Sequence, residues 1–259
     1  MSGTVRVEYA PHRATVWLDN TARRNAITRA MWIELARVFR ELPQDEQLRC
    51  IVLRGAGTEA FGSGADISEF SQVRADVAQA RSFAEQTHAA FHAVRDCPIP
   101  IVAAIRGACV GGALEMAAFC DLRIAAEDSR FGVPVARLGA VLAYPEMEGL
   151  VRLVGPNGAL EVVLEGRIIG AAEALSKGMV NRVVPVDAFE DEVEATVQRV
   201  CAGAPLSARW HKKFVAKLRD RVPLTAADIE EGYACFDTED YRIGYSTFLE
   251  KVPPRFVGR

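Results

Sequence analysis

No apolar run in this chain approaches the roughly 20 residues that cross a bilayer, so no membrane-spanning role is expected. The opening MSGTVRVEYA lacks the apolar stretch of a secretory leader, which makes the cytoplasm the expected location. Neither sign of charge dominates: 31 Lys+Arg against 34 Asp+Glu leave a net charge of −3. Such a balance gives no long-range attraction to nucleic acid or an anionic membrane, and neither is expected as a partner. Histidine is sparse, at four residues. His88 and His92 stand one helical turn apart, but HAAFH has no intervening acid and no evident third ligand, so no metal site is expected. The six cysteines (Cys50, Cys97, Cys109, Cys120, Cys201, Cys235) lack metal-pair spacing and lie mostly among apolar neighbours. They read as buried free thiols, not a disulfide scaffold. There is no Gly-x-Ser-x-Gly nucleophile elbow, phosphate-binding loop, dinucleotide fingerprint or internal repeat.

What is present is an ordinary globular balance, half apolar and a quarter charged over 259 residues, enough for one large domain or a core with an appendage. Residues 14–18 read as a strand. Thr28 is placed to cap a helix carrying Met31, Trp32, Leu35, Val38, Phe39 and Leu42 on one face, closed by Pro43. Residues 49–54, apolar between charged ends, read as a strand covered on both faces, as in a parallel sheet. A polar, mobile stretch at 71–78 overlaps the start of a helix over 77–96. Further strands are expected at 101–105, 122–125 and 180–184, with a small-residue helix from Gly111-Gly112 to Phe119. Later helices are expected at 157–164, 171–177, 188–201, 205–218, 225–236 and 239–250. The fold class is therefore α/β with crossover connections, organised as an α/β core over 1–200 and a helical C-terminal region over 201–259.

Two stretches carry the chemistry. Phe61-Gly62-Ser63-Gly64-Ala65-Asp66-Ile67 and GACVGGALEMAAFCD (107–121) place small residues where the chain leaves an apolar, strand-like segment. Small residues there let a ligand approach backbone N–H groups closely. The second stretch also sets one carboxylate, Glu115, in an apolar helix start. Backbone donors beside a single buried acid suggest chemistry on a carbonyl.

In this order, the two stretches resemble those of the crotonase (enoyl-CoA hydratase/isomerase) superfamily. The resemblance extends to Asn25-Ala26, GRIIGAAEALSKGMVNRVVP and EDYRIGYSTFLEKVPPRF, and so covers nearly the whole chain. It implies a spiral of repeated β-β-α units, with C-terminal helices that contact neighbouring subunits in a homotrimer or a dimer of trimers. It also implies an acyl-CoA or enoyl-CoA thioester as substrate, with a place in fatty acid metabolism. Coenzyme A would enter as part of the substrate, and no cofactor would be bound permanently. Carried over by position, Ala65 and Gly112 N–H would form the oxyanion hole and Glu115 would be the first of two hydratase glutamates. Burial is expected to raise the Glu115 pKa towards a value useful for proton transfer. Ser63, Gly64, Ala65, Asp66 and Ile67 would line the coenzyme A pocket, joined by Phe248 and Lys251 of the tail. Arg24, beside Arg23, would add charge near the coenzyme, and Asp66 would also brace its own loop.

The chain departs from the family pattern at one telling place. The second hydratase glutamate should follow the proline of Phe131-Gly132-Val133-Pro134, where this chain has Val135. The same position holds the base of the family's 3,2-enoyl-CoA isomerases. The next loop also departs, reading GAVLAYPEMEGL, and brings three polar candidates for the missing group: Tyr144, Glu146 and Glu148. Both glutamates are equally placed to be first-turn residues of a helix after Pro145. The expected activity is acyl-CoA processing, nominally reversible hydration of a 2-enoyl-CoA. The alternatives are another reaction of the same superfamily (isomerisation, decarboxylation or thioester hydrolysis) and a non-catalytic acyl-CoA-binding protein.

Overall fold

The computed structural model describes residues 3–259, so Met1 and Ser2 lie outside the described residues. An antiparallel hairpin, β1 (Thr4–Ala10) and β2 (Arg13–Asp19), comes first. Next is α1 (Arg29–Glu41), where Thr28 Oγ1 accepts from Met31 N–H at 3.3 Å and so satisfies a free helix donor. Three successive turns of similar plan follow. β3 (Cys50–Gly55) and β4 (Ala60–Gly62) lead to α2 (Phe70–Val73) and α3 (Val77–Asp96). β5 (Ile101–Ile105) and β6 (Ala108–Val110) lead to α4 (Gly112–Ala118). β7 (Leu122–Ala126) and β8 (Arg130–Gly132) lead to α5 (Tyr144–Glu165). The chain then runs through β9 (Ile169–Gly170), α6 (Ala171–Ser176), β10 (Arg182–Val184) and α7 (Phe189–Ala202). It closes with α8 (Pro205–Arg219), α9 (Ala226–Glu231) and α10 (Glu239–Glu250).

The first strand of each turn joins a six-stranded sheet ordered β1-β2-β3-β5-β7-β10, and the second joins a four-stranded sheet ordered β4-β6-β8-β9. Each turn thus advances both sheets by one strand, which makes the fold a spiral of repeated β-β-α units followed by helices. The period-2 alternation of the strands explains its two cores. Ile51, Leu53, Ile101 and Ala103 face α1 and α3, whereas Cys50, Val52, Val102 and Ala104 face Phe189, Val193 and Val197 of α7. Cys50, Cys97, Cys109 and Cys120 are buried thiols, and Cys201 and Cys235 are half-buried.

The structure differs from the sequence expectation mainly where elements are short or interrupted. β4, β6, β8 and β9, which build the whole second sheet, are two or three residues each, too brief to show a period. The helix expected over 157–164 is the second half of α5, which begins at Tyr144. Gly155 (φ 72, ψ 170) breaks it, and Pro156 restarts it because a first-turn residue needs no N–H donor. The stretch over 71–78, expected to be mobile, contains the end of α2, and Arg74 lies over the rings of Phe70 and Phe83, 5.0 and 5.4 Å from their centroids. The helix expected over 225–236 is divided: α9 ends at Glu231, and a separate 3-10 turn occupies Ala234–Asp237.

Candidate active site

Parallel pairing of β4 with β6 sets the two small-residue turns side by side. Gly64 (φ +87) and Gly111 (φ +57) hold backbone conformations that L side chains rarely adopt. Their approach is close: a Cβ added to Gly64 would lie 3.1 Å from Val110 O and 3.3 Å from Gly112 N. A Cβ on Gly112 would lie 3.1 Å from Trp32 Cζ2 and 3.9 Å from Ala65 N. Ile27 N–H donates to Gly64 O at 2.8 Å and Asp66 N–H to Ile27 O at 3.0 Å, which turns the intervening Ala65 amide the other way. Among the described residues, no protein acceptor receives the N–H of Ala65 or of Gly112. Both residues line one cavity of about 280 Å³. Two unpaired amides beside a helix start can hold developing negative charge on an oxygen.

The same cavity receives two carboxylates. Glu115, in the first turns of α4, is only 5 % exposed. Burial pushes its carboxyl up to about 8, the charge of Glu146 acts in the same direction, and the Arg74 guanidinium opposes both. Glu146 comes from the first turn of α5, where its Oε2 accepts the Ala143 N–H. Its other oxygen, Oε1, faces His88 Nε2 at 3.5 Å. Phe70, Phe83, Phe91, Val133, Val135 and Leu142 supply the apolar wall, with Arg74 and Arg137 at its polar side. Phe91 is braced from behind by an edge contact with Trp32 (5.3 Å between centroids) and a stacked contact with Phe119 (5.7 Å). The result is an apolar chamber with two unpaired amides and two acids, in which the charge of Glu146 acts on the carboxyl of Glu115.

Residues 13–259 match the family described as Enoyl-CoA hydratase/isomerase. The chain belongs to that family. A solved structure described as an enoyl-CoA hydratase/carnithine racemase from Magnetospirillum magneticum is 44 % identical, covers 100 % of this chain and 97 % of its own, and superposes with a TM-score of 0.97. The enoyl-CoA hydratase structure from Bacillus anthracis is 28 % identical, covers 99 % and 100 %, and gives a TM-score of 0.90. The crotonyl-CoA hydratase of Syntrophomonas wolfei is 29 % identical over 248 residues, which are 95 % of each chain.

Within this enoyl-CoA hydratase/isomerase fold, Ser63, Gly64, Ala65, Ile67, Gly112, Glu115 and Glu146 meet at the cavity, together with Val135. Asp66 is buried in the loop behind it. It accepts from Ser68 N–H (3.0 Å) and Oγ (2.7 Å) and from Arg23 Nη1 (3.0 Å). Burial pushes its carboxyl up, but these donors outweigh that and leave it below the usual range. Tyr144 is 95 % exposed and does not line the cavity. Glu148 points elsewhere, paired with Arg95 at 3.5 Å and with Arg152. Arg24 stands 3.9 Å from Glu59 beside a separate cleft. Phe248 is 83 % exposed on α10, and Lys251 ends that helix in a left-handed conformation (φ 59), both outside the cavity of this chain. Arg74, Thr87 and Arg137 also line the cavity and were not singled out from the sequence. Arg74 had one usable signal, as the cation nearest Phe70 in a stretch that otherwise reads as a polar loop.

Proposed function

We propose that this protein hydrates a 2-enoyl-CoA thioester, with Glu146 supplying the second acid that Val135 cannot. The observation that carries the reading is the pair itself: Glu115 and Glu146 line one apolar cavity that also presents the Ala65 and Gly112 amides, and the charge of Glu146 acts on Glu115. The thioester oxygen would accept from both amides, so that negative charge developing there is stabilised where it forms. The Glu146 carboxylate takes a proton from water as the water oxygen bonds to C3 and the C2–C3 π pair moves towards the carbonyl. Glu115, protonated near neutral pH, delivers its proton to C2 as the enolate collapses. One water is added, and proton exchange with solvent returns both acids to their starting states. The coenzyme arm would run along the Ser63–Ile67 segment, a reading supported by Ser63, Gly64, Ala65 and Ile67 lining the cavity and by the exposure of Ile67.

Exposed apolar side chains between the start of α8 and the end of α10, among them Leu218, Leu224, Ile229, Phe236 and Phe248, support assembly into a homotrimer or a dimer of trimers that would cover them. Such a neighbour would also bring other residues towards the coenzyme end of the pocket, a role for which Phe248 and Lys251 are the candidates. Light scattering on the purified protein reads this directly, and a stable monomer would remove it.

The test of function is turnover of crotonyl-CoA and longer 2-enoyl-CoAs, followed by loss of the conjugated thioester absorbance. Hydration is expected in the wild-type protein, reduced by about 10²-fold in Glu146→Gln. Binding of these thioesters without any hydration would overturn the reading. Conversion of 3-enoyl-CoAs alone would replace it with isomerisation.

A further inference from the structure

We propose that His88 is a positioning residue, whose Nε2–H holds the Glu146 carboxylate in register with Glu115 across the cavity. This deepens the hydration reading and rests on it. His88 lies on α3 directly after the cavity-lining Thr87, yet does not itself line the cavity. Its side chain is 18 % exposed, and among the described residues its buried Nε2 has no hydrogen-bond partner. A buried ring nitrogen left unpaired is costly. The acceptor in front of it is Glu146 Oε1, at 3.5 Å. That separation is of the kind that closes when substrate fills a site, since such contacts are often long in the empty enzyme.

Glu146 needs a second restraint. Its Oε2 is held by the Ala143 N–H, a donor on an exposed residue just before α5, between Leu142, which packs on the core, and Tyr144, which faces solvent. α3 is a long helix packed on α1 through Phe91 and Trp32, so a contact from His88 ties the carboxylate to the rigid part of the fold. The position of a reacting group matters steeply, because a displacement of about 1 Å can cost about 10²-fold in rate.

The charged surroundings define what removal would do. Glu115 is acted on by Glu146 from α5 and by Arg74 beyond α2. His88 faces Glu146 from α5 and His92 one turn along its own helix, and His92 in turn faces Arg95, Asp96 and Glu148. α1 offers Trp32 to Phe91 and a charged Arg29 that donates to Gln86 at 2.8 Å, two residues before His88. A Glu146 side chain released from His88 would swing away from Glu115 and take its repulsive charge with it. Glu115 would then release its proton at lower pH.

The experiment compares wild type, His88→Leu and His88→Gln in the full-length protein. The Glu115 carboxyl is titrated by infrared difference spectroscopy, with Glu115→Gln identifying its band, and kcat and KM for crotonyl-CoA are measured in parallel. The wild-type midpoint is expected at about 8. His88→Leu should lower that midpoint and reduce kcat by about 10- to 100-fold, with KM changed less than about twofold. His88→Gln, which keeps an N–H donor, should retain both values. An unchanged midpoint in His88→Leu would overturn the inference, as would equal losses in Leu and Gln variants, which would mark a packing role. A shifted midpoint in proteins that hydrate no enoyl-CoA would keep the positioning and dismiss the hydration reading instead.

Discussion

At the start of α4, Glu115 is delivered by a backbone with little freedom. Gly111 and Gly64 are in contact through positive-φ turns, and Gly112 is backed by Trp32. At the start of α5, Glu146 arrives beside Tyr144, which faces solvent; its carboxylate accepts one hydrogen bond, from the Ala143 N–H, and stands 3.5 Å from His88 Nε2. Both are acids in the first turns of a helix, pointed at the same cavity. The difference is that one helix start is built by sheet pairing and the other by a side chain reaching back to its own cap. The first geometry rests on backbone pairing and on glycines at positions where a Cβ would be crowded or strained. The second depends on a few polar contacts.

Substitutions should separate the two halves. The largest expected effect is Glu115→Gln, with kcat for hydration about 10³-fold lower, since no other acid on α4 faces the cavity. Wild-type hydration should itself decline as pH rises through about 8, where Glu115 loses the proton it donates. The same variant should be more stable than wild type in alkaline solution. Glu115 holds its proton to about 8 in the folded chain against an ordinary value of 4.5, so ionisation opposes folding progressively between those values and fully above them. Thermal melts should therefore show Glu115→Gln ahead at pH 9, by on the order of 4 kcal/mol, with the advantage gone below about pH 4.5. No gain at pH 9 would mean that the carboxylate is solvated when ionised.

Glu146→Gln should have the next largest effect on rate. Beyond its loss of about 10²-fold, it should move the alkaline limb of the pH profile downward by removing a like charge from beside Glu115. The limb should stay above the ordinary carboxylate range, because burial is the larger cause. Adding Val135→Glu to Glu146→Gln returns an acid to the cavity wall from the other direction, and about tenfold of the lost rate should come back. A double variant no faster than Glu146→Gln would show that the wall near Pro134 no longer aims an acid at the substrate. The smallest effect belongs to Tyr144→Phe, with kcat and KM within about twofold of wild type, because its hydroxyl stands in solvent. A larger loss would place this loop in a closed arrangement during turnover.

The sequence was most readable where the chemistry is local. The glycine turns and Glu115 are read within a few residues of each other, and their geometry follows from the backbone they occupy. The long helices and the buried strands β3 and β5 are equally plain, since an apolar pattern of that length has one stable use. The second sheet was not legible, because its strands are too short to pattern and exist only through pairing with one another. Nor could the sequence choose among Tyr144, Glu146 and Glu148. All three sit within five residues at the start of α5, and which of them faces the cavity is set by how α5 lies against α3 and α4. His88 had appeared only as half of an unconvincing metal-ligand pair.

By itself, then, the sequence determined the α/β core, the glycine-flanked amides and one buried acid, all consequences of short-range backbone sterics and apolar periodicity. The tertiary structure decided which second acid meets the first, and which imidazole stands behind it. Those are relations between helices distant in the chain, and only packing brings their side chains within reach of each other's charge.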